Sequence, residues 1–257
     1  DREVEERLAL IASLKRKYAP TLEEILSLAE AIGRELAELT DLDATRDALE
    51  RQLADATAQR AVAGAGLSTQ RRAAAERLAQ AVEAELQGLA MPRARFEVRL
   101  TPLAEAGARG LERGEFLIAP NPGEEPKPLA RIASGGELSR LMLALKRAAP
   151  AGEGIPTLIF DEVDAGIGGV AATAVGEKLQ AAARSSQVLC ITHLPQVAAF
   201  ADRHHRVEKA EEGGRTRTRV VELEGEERVR EMARMLGGAR VTDRTLEHAR
   251  EMIAHGS

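Results

Sequence analysis

The chain has 257 residues, with 36 basic and 41 acidic side chains, a net charge of −5, one cysteine and no tryptophan. That length suits one or two domains, and 44% apolar residues suffice for a core, which excludes a fully disordered chain. The lone Cys190 excludes a disulfide framework and a cysteine-built zinc site. No apolar run is long enough to span a bilayer, and the acidic first ten residues carry no signal-peptide core, so a soluble cytoplasmic protein without a membrane partner is expected.

The acidic excess sits at one end. Residues 1–90 hold 12 basic and 17 acidic side chains, whereas the rest of the chain holds 24 of each. This first third contains a single proline, Pro20, and its apolar residues are spaced by threes and fours. Leu22, Ile25, Ala29, Ile32, Leu36 and Leu39 form a heptad-like seam that continues through Leu49, Leu53, Leu67, Leu78, Val82, Leu86 and Leu89. So narrow a seam is buried by another helix, which predicts a coiled coil. Residues 2–18 read as one helix, broken at Tyr18-Ala19-Pro20. Thr21 and Glu24 form a capping box that starts a second helix running to about Gly88. Such a helix is about 100 Å long at 1.5 Å per residue. Ala63-Gly64-Ala65-Gly66 is its expected weak point.

Met91-Pro92 ends this pattern. Phe96, Val98 and Leu100 then alternate with Arg95, Glu97 and Arg99, as in a half-buried strand, and Gly114–Ala119 reads as its hairpin partner. A loop rich in proline follows from Asn121 to Pro128, then a helix over 138–149. Thr157–Phe160 and Val188–Ile191 are short apolar runs of the kind found in buried parallel strands, with a helix over 169–184 between them. This alternation predicts an α/β layer. A hairpin over 203–222, turning at Gly213-Gly214, and a helical tail from Glu226 complete the chain, with a break at Gly237-Gly238 and a cap at Thr242 or Asp243.

Three patterns can carry chemistry. The apolar strand ends in Asp161-Glu162, where one carboxylate can hold a metal and its neighbour can orient a water. Ser134-Gly135-Gly136-Glu137 directly precedes a helix, where backbone N–H groups and the helix dipole favour an anion. His193 follows the second apolar strand in Thr192-His193-Leu194. Taken singly, each has an ordinary counterpart: an acidic loop, a capped helix start, a structural histidine. Arg215, Arg217 and Arg219 alternate along a strand, which suits either phosphate contact or a charged, solvated edge. His204-His205 lacks companions at metal-binding spacing and reads as surface.

Order and spacing raise the specificity. Asp161 follows Glu137 by 24 residues and Thr192 follows Glu162 by 30. The set resembles the C-terminal lobe of an ABC-type ATPase head: Ser134–Glu137 as the signature motif, Phe160-Asp161-Glu162 as Walker B, Asp164 with its glycine-rich turn as the D-loop, and His193 as the switch histidine. More narrowly, Leu129–Arg140, Asp161–Gly169 and Thr192–Ala198 resemble the RecN family of SMC-like DNA-repair ATPases, with looser similarity through the coil.

The resemblance implies an incomplete P-loop NTPase fold: an α/β ABC-type C-terminal lobe over 91–257 behind a long α-helical antiparallel coiled-coil segment over 1–90. It implies ATP and Mg²⁺ as cofactors, with Asp161 at the metal and Glu162 and His193 as catalytic residues. Ser134, Gly135, Gly136, Glu137 and Asp164 would bind nucleotide. No Gly-Lys pair occurs, so a Walker A lobe is expected elsewhere. The other implied partners are a second head and DNA, and the implied location is the nucleoid. Two alternatives are another coil-bearing SMC-type ATPase and a structural coil with an inactive head.

Overall fold

The computed structural model describes residues 2–149, 156–212, 215–238 and 240–256. By its internal contacts the chain divides into two compact units, residues 1–66 and 67–257. The expected Gly213-Gly214 turn lies outside the described residues.

The first unit is helical. Helix α1 spans Arg2–Lys17, and α2 spans Leu22–Gln87 and continues into the second unit. The capping box at the start of α2 forms as expected: the Glu24 N–H donates to Thr21 Oγ1 at 3.2 Å, and the Thr21 N–H donates to Glu24 Oε2 at 3.1 Å. The expected weak point at 63–66 does not interrupt the helix. Two glycines cost a helix only about 1 kcal/mol each, and the alanines around them are the best helix formers. The seam side chains Ile32, Leu36, Leu39, Leu49 and Leu53 are each more than half exposed.

The second unit begins inside the same helix. Val82 and Leu86, with Leu89 just beyond the helix end, are fully buried in a core that also holds Phe96, Ile118, Leu141, Phe160 and Val175. Fully burying one such side chain contributes about 1.5–3 kcal/mol. Residues 67–89, read from sequence as coil, therefore pack with the lobe.

Strands β1 (Arg95–Gly107) and β2 (Gly110–Ala119) form the expected antiparallel hairpin, with Phe96 opposite Ile118 and Val98 opposite Phe116. A short β3 (Lys127–Pro128) pairs with β2, and a 3₁₀ turn over Leu129–Arg131 leads towards α3 (Gly135–Ala148). Then come β4 (Thr157–Phe160), α4 (Gly169–Ala183) and β5 (Gln187–Cys190), with β4 and β5 parallel and Phe160 level with Cys190. A four-residue helix α5 (Pro195–Ala198) leads to the hairpin β6 (His204–Glu212) and β7 (Arg215–Leu223), followed by α6 (Gly225–Gly237) and α7 (Asp243–Gly256).

One expectation is corrected. Strands β4 and β5 are not buried on both faces: Ile159 is 68% exposed, Leu189 47%, and the following Ile191 62%. Their other face joins the core through Phe160, with Leu158, Val188 and Cys190 packed against it. Apolar residues on both faces of a parallel strand suit a sheet covered on both sides, and the described residues supply only one cover.

A second cluster holds the C-terminal elements, with Phe200, Val229, Met232 and Ala249 at its centre. Beside it the buried Glu231 is clamped by Arg234 (Nη2 to Oε1 2.6 Å) and Arg206 (Nη1 to Oε2 3.4 Å). The Arg234 hydrogen bonds hold the Glu231 carboxyl below its usual range. A lowered carboxylate pKa stabilises the fold above the unfolded value, and that stability is lost as pH falls through the folded one. The Arg228 guanidinium donates to the carbonyls of Ala199 (3.1 Å) and Ala201 (2.7 Å). Burial and the Arg228 charge lower the pKa of His204.

Candidate nucleotide site

The start of α3 is built by its own sequence. Ser134 takes an extended backbone as N-cap, and its Oγ accepts the Glu137 N–H at 3.3 Å. The cap uses the Glu137 N–H, and the first-turn N–H groups of a helix together with its dipole favour an anion. Gly135 is exposed and Gly136 buried. A Cβ on Gly136 would meet Ala165 Cβ at 2.9 Å and Glu162 O at 3.0 Å, so the turn after β4 approaches closer than any side chain allows.

Two side chains of α3 fasten that turn. Ser139 Oγ donates to the Asp161 carbonyl at 2.6 Å, and Arg140 Nη1 donates to the carbonyls of Ala165 (2.9 Å) and Val163 (3.3 Å). Arg140 is only 6% exposed, and burial lowers its pKa against the opposing charge of Glu137. The sequence reading did not single out Ser139 or Arg140 as site residues. A lone arginine on an otherwise apolar helix face was the available signal.

Asp161 and Glu162 are exposed at the end of β4. Glu162 has φ 56°, a left-handed backbone uncommon outside glycine. Its carboxylate lies over Gly135, where an added Cβ would collide with it. Asp164 behaves differently. It is 3% exposed and accepts hydrogen bonds from Thr192 Oγ1 and from the His193 N–H at 3.1 Å. His193 Nδ1 lies 3.3 Å from the same carboxylate, with the ring itself 75% exposed. Asp164 therefore orients the His193 loop, and its own carboxylate is already engaged. Glu137 is half-buried in the first turn of α3. The Ser134–Glu137 turn, the strand-end carboxylates and His193 thus gather around the 161–165 turn.

Cys190 ends β5 beside this cluster. Burial, then the charges of Asp164 and Asp161, push its thiol up to about 12. The thiol stays protonated at pH 8, so iodoacetamide should label Cys190 at least about tenfold more slowly in the folded chain than in urea. Mass spectrometry gives the rate, and equal labelling in both conditions would contradict this environment.

Among the described residues no three carboxylate, histidine or cysteine side chains come together as a metal cage. Mg²⁺ takes one or two protein carboxylates and completes its shell with water and phosphate oxygens. Asp161, exposed at the end of β4, offers one such ligand.

No family model matches the chain. It is 44% identical to the DNA repair protein RecN of Treponema pallidum, over 99% of this chain and 45% of that protein. It is also 44% identical to RecN of Deinococcus radiodurans (98% and 44% covered) and 40% identical to RecN of Bacillus subtilis (97% and 46%). The chain is a relative of RecN. It spans about half the length of the curated RecN proteins it matches. An SMC head domain with coiled coil and joint from Pyrococcus yayanosii superposes with a TM-score of 0.57 at 21% identity, covering 90% of this chain and 41% of that one. A Pyrococcus furiosus Smc head domain with an extended coiled coil gives 0.50 at 20% identity, covering 86% and 50%. This relative of RecN has the fold of an SMC head domain joined to coiled coil.

Proposed function

We propose that the chain supplies the C-terminal half of a RecN-like ATPase that acts on DNA in double-strand break repair and recombination, in the cytoplasm at the nucleoid. The observation that supports this is the fastening of the signature turn, the Walker B carboxylates and the His193 loop around one short segment, 161–165. In this reading residues 1–66 serve as coil, and the end of α2 from residue 67 anchors it in the lobe that runs to residue 257. The open face at Ile159, Leu189 and Ile191 suits the rest of a parallel sheet, brought by an N-terminal lobe that carries the Walker A loop.

Asp161 would hold Mg²⁺, which when bound neutralises charge on the phosphates. Glu162 would orient and deprotonate the attacking water. His193, held by Asp164, would donate a hydrogen bond to the γ-phosphate. Ser134 and the amides of Gly135 and Gly136 would face the ATP of a second head. ATP then favours the closed pair of heads by its differential affinity for that state, and hydrolysis releases it. The coil would convert the cycle into bridging of DNA.

In the complete protein, Ser134→Arg places bulk and positive charge at the helix start. It should leave ATP binding within about twofold, cut turnover at least about tenfold and remove the ATP-dependent dimer seen by light scattering. Parent-like hydrolysis and dimerisation would sink the role in trans.

A further inference from the structure

We infer that the groove between α2 and the β1–β2 hairpin is a docking site for an acidic amphipathic helix of a partner protein. The groove has a volume of about 560 Å³ and lies wholly in the second unit. Arg71, Ala74, Ala75 and Leu78 lie three, four and seven residues apart along one stripe of α2 and form one wall. The opposite wall is the hairpin, which contributes Val98, Leu100 and Leu103. The floor is apolar, and Leu103 is 43% exposed on it. Two adjacent alanines on the helix wall leave room for a second backbone to approach.

The charges around this floor are unbalanced. Arg71, Arg109 and Arg113 line the groove. Among the described residues none of the three has a hydrogen bond or ion pair to an acidic group. The groove's carboxylate, Glu112, has a side chain only 9% exposed, with Oε2 buried and lacking any hydrogen-bond partner. Arg72 reaches no closer than 3.8 Å, and to the other oxygen. The fitting occupant therefore has two properties: an apolar stripe for the floor and acidic residues for the three arginines. A helix with apolar residues at i, i+3, i+4 and i+7 presents both. Nucleic acid fits less well. A phosphate backbone finds an apolar floor and a buried carboxylate there, and no aromatic ring lines the groove for base stacking.

The test uses a fluorescein-labelled peptide of about 20 residues, long enough to hold a helix. It carries a leucine stripe with glutamates on both flanks. Anisotropy is read against the 257-residue chain. The Glu-flanked peptide should bind at least about tenfold more tightly than a Lys-flanked peptide with the same stripe. Ala75→Trp, which fills the groove, should abolish binding. Arg109→Glu with Arg113→Glu, both at exposed positions that leave the fold intact, should weaken it by about tenfold or more. Equal binding of the two peptides, or binding untouched by both variants, overturns the proposal. So do two further outcomes that assign other occupants. One is competition by a DNA duplex that the same variants abolish. The other is self-association of the chain that Ala75→Trp removes. Binding by the chain but not by the complete protein would show the groove filled from within, and also overturns it. None of these outcomes depends on nucleotide turnover, so the ATPase reading stands or falls separately.

Discussion

Replacing Glu162 by glutamine in the complete protein should leave ATP bound and slow phosphate release by about 10²- to 10⁴-fold, the usual contribution of a positioned base. The substitution keeps size and shape at an exposed position, so folding should not change. Two readouts separate loss of catalysis from loss of binding: turnover measured by released phosphate, and nucleotide retained after rapid gel filtration. Retained ATP with slow turnover, and accumulation of the two-headed complex, is the expected pattern. Parent-like hydrolysis would remove Glu162 from the reaction. The contact of its carboxylate with Gly135 adds a detail. In the proposed reaction Glu162 would have to leave the 134–137 turn of its own chain before facing a water held elsewhere.

Arg140→Ala should produce the largest loss of stability. The guanidinium is 6% exposed and donates to the carbonyls of Val163 and Ala165. Its removal leaves two inward-facing acceptors without a charged donor and opens space beside Leu141 and Val163. Together these cost about 3–4 kcal/mol. For a unit of this size that lowers the midpoint of thermal unfolding by roughly 6–15 °C. Denaturant titration of parent and variant measures it, and a change under about 1 kcal/mol would show that Arg140 does not hold the turn. Because the same bonds place Asp161 and Glu162, the variant should also lose turnover in the complete protein at temperatures where it remains folded.

Much of this was legible because it is local. The Thr21–Glu24 box, the alternation from Arg95 to Leu100 and the Ser-Gly-Gly helix start are written in neighbouring residues. Other features depend on partners distant in sequence. Nothing around Asp164 marks it as buried, since its donors, Thr192 and the His193 backbone, lie 28 and 29 residues away. The alternation breaks after Leu100, so the outer part of β1 was missed. In the structure the register shifts between Pro102 and Gly107, and the strand runs on past it. The limit of the coil was hidden for another reason. Leu78, Val82, Leu86 and Leu89 continue the heptad-like seam, yet they pack into the lobe core. Helical periodicity says that a face is buried, and says nothing of what buries it.

The open side of the β4–β5 pair carries a dynamic consequence. Among the described residues these strands bond only to each other, four residues on each side, with one face bare to water. Such a ladder opens by local unfolding at a lower free energy than the covered core, so its amides should exchange early. Asp161 and Glu162 hang from the end of that ladder. In the proposed assembly, whatever covers Ile159, Leu189 and Ile191 would also rigidify the carboxylates, joining assembly and the readiness of the site in one equilibrium.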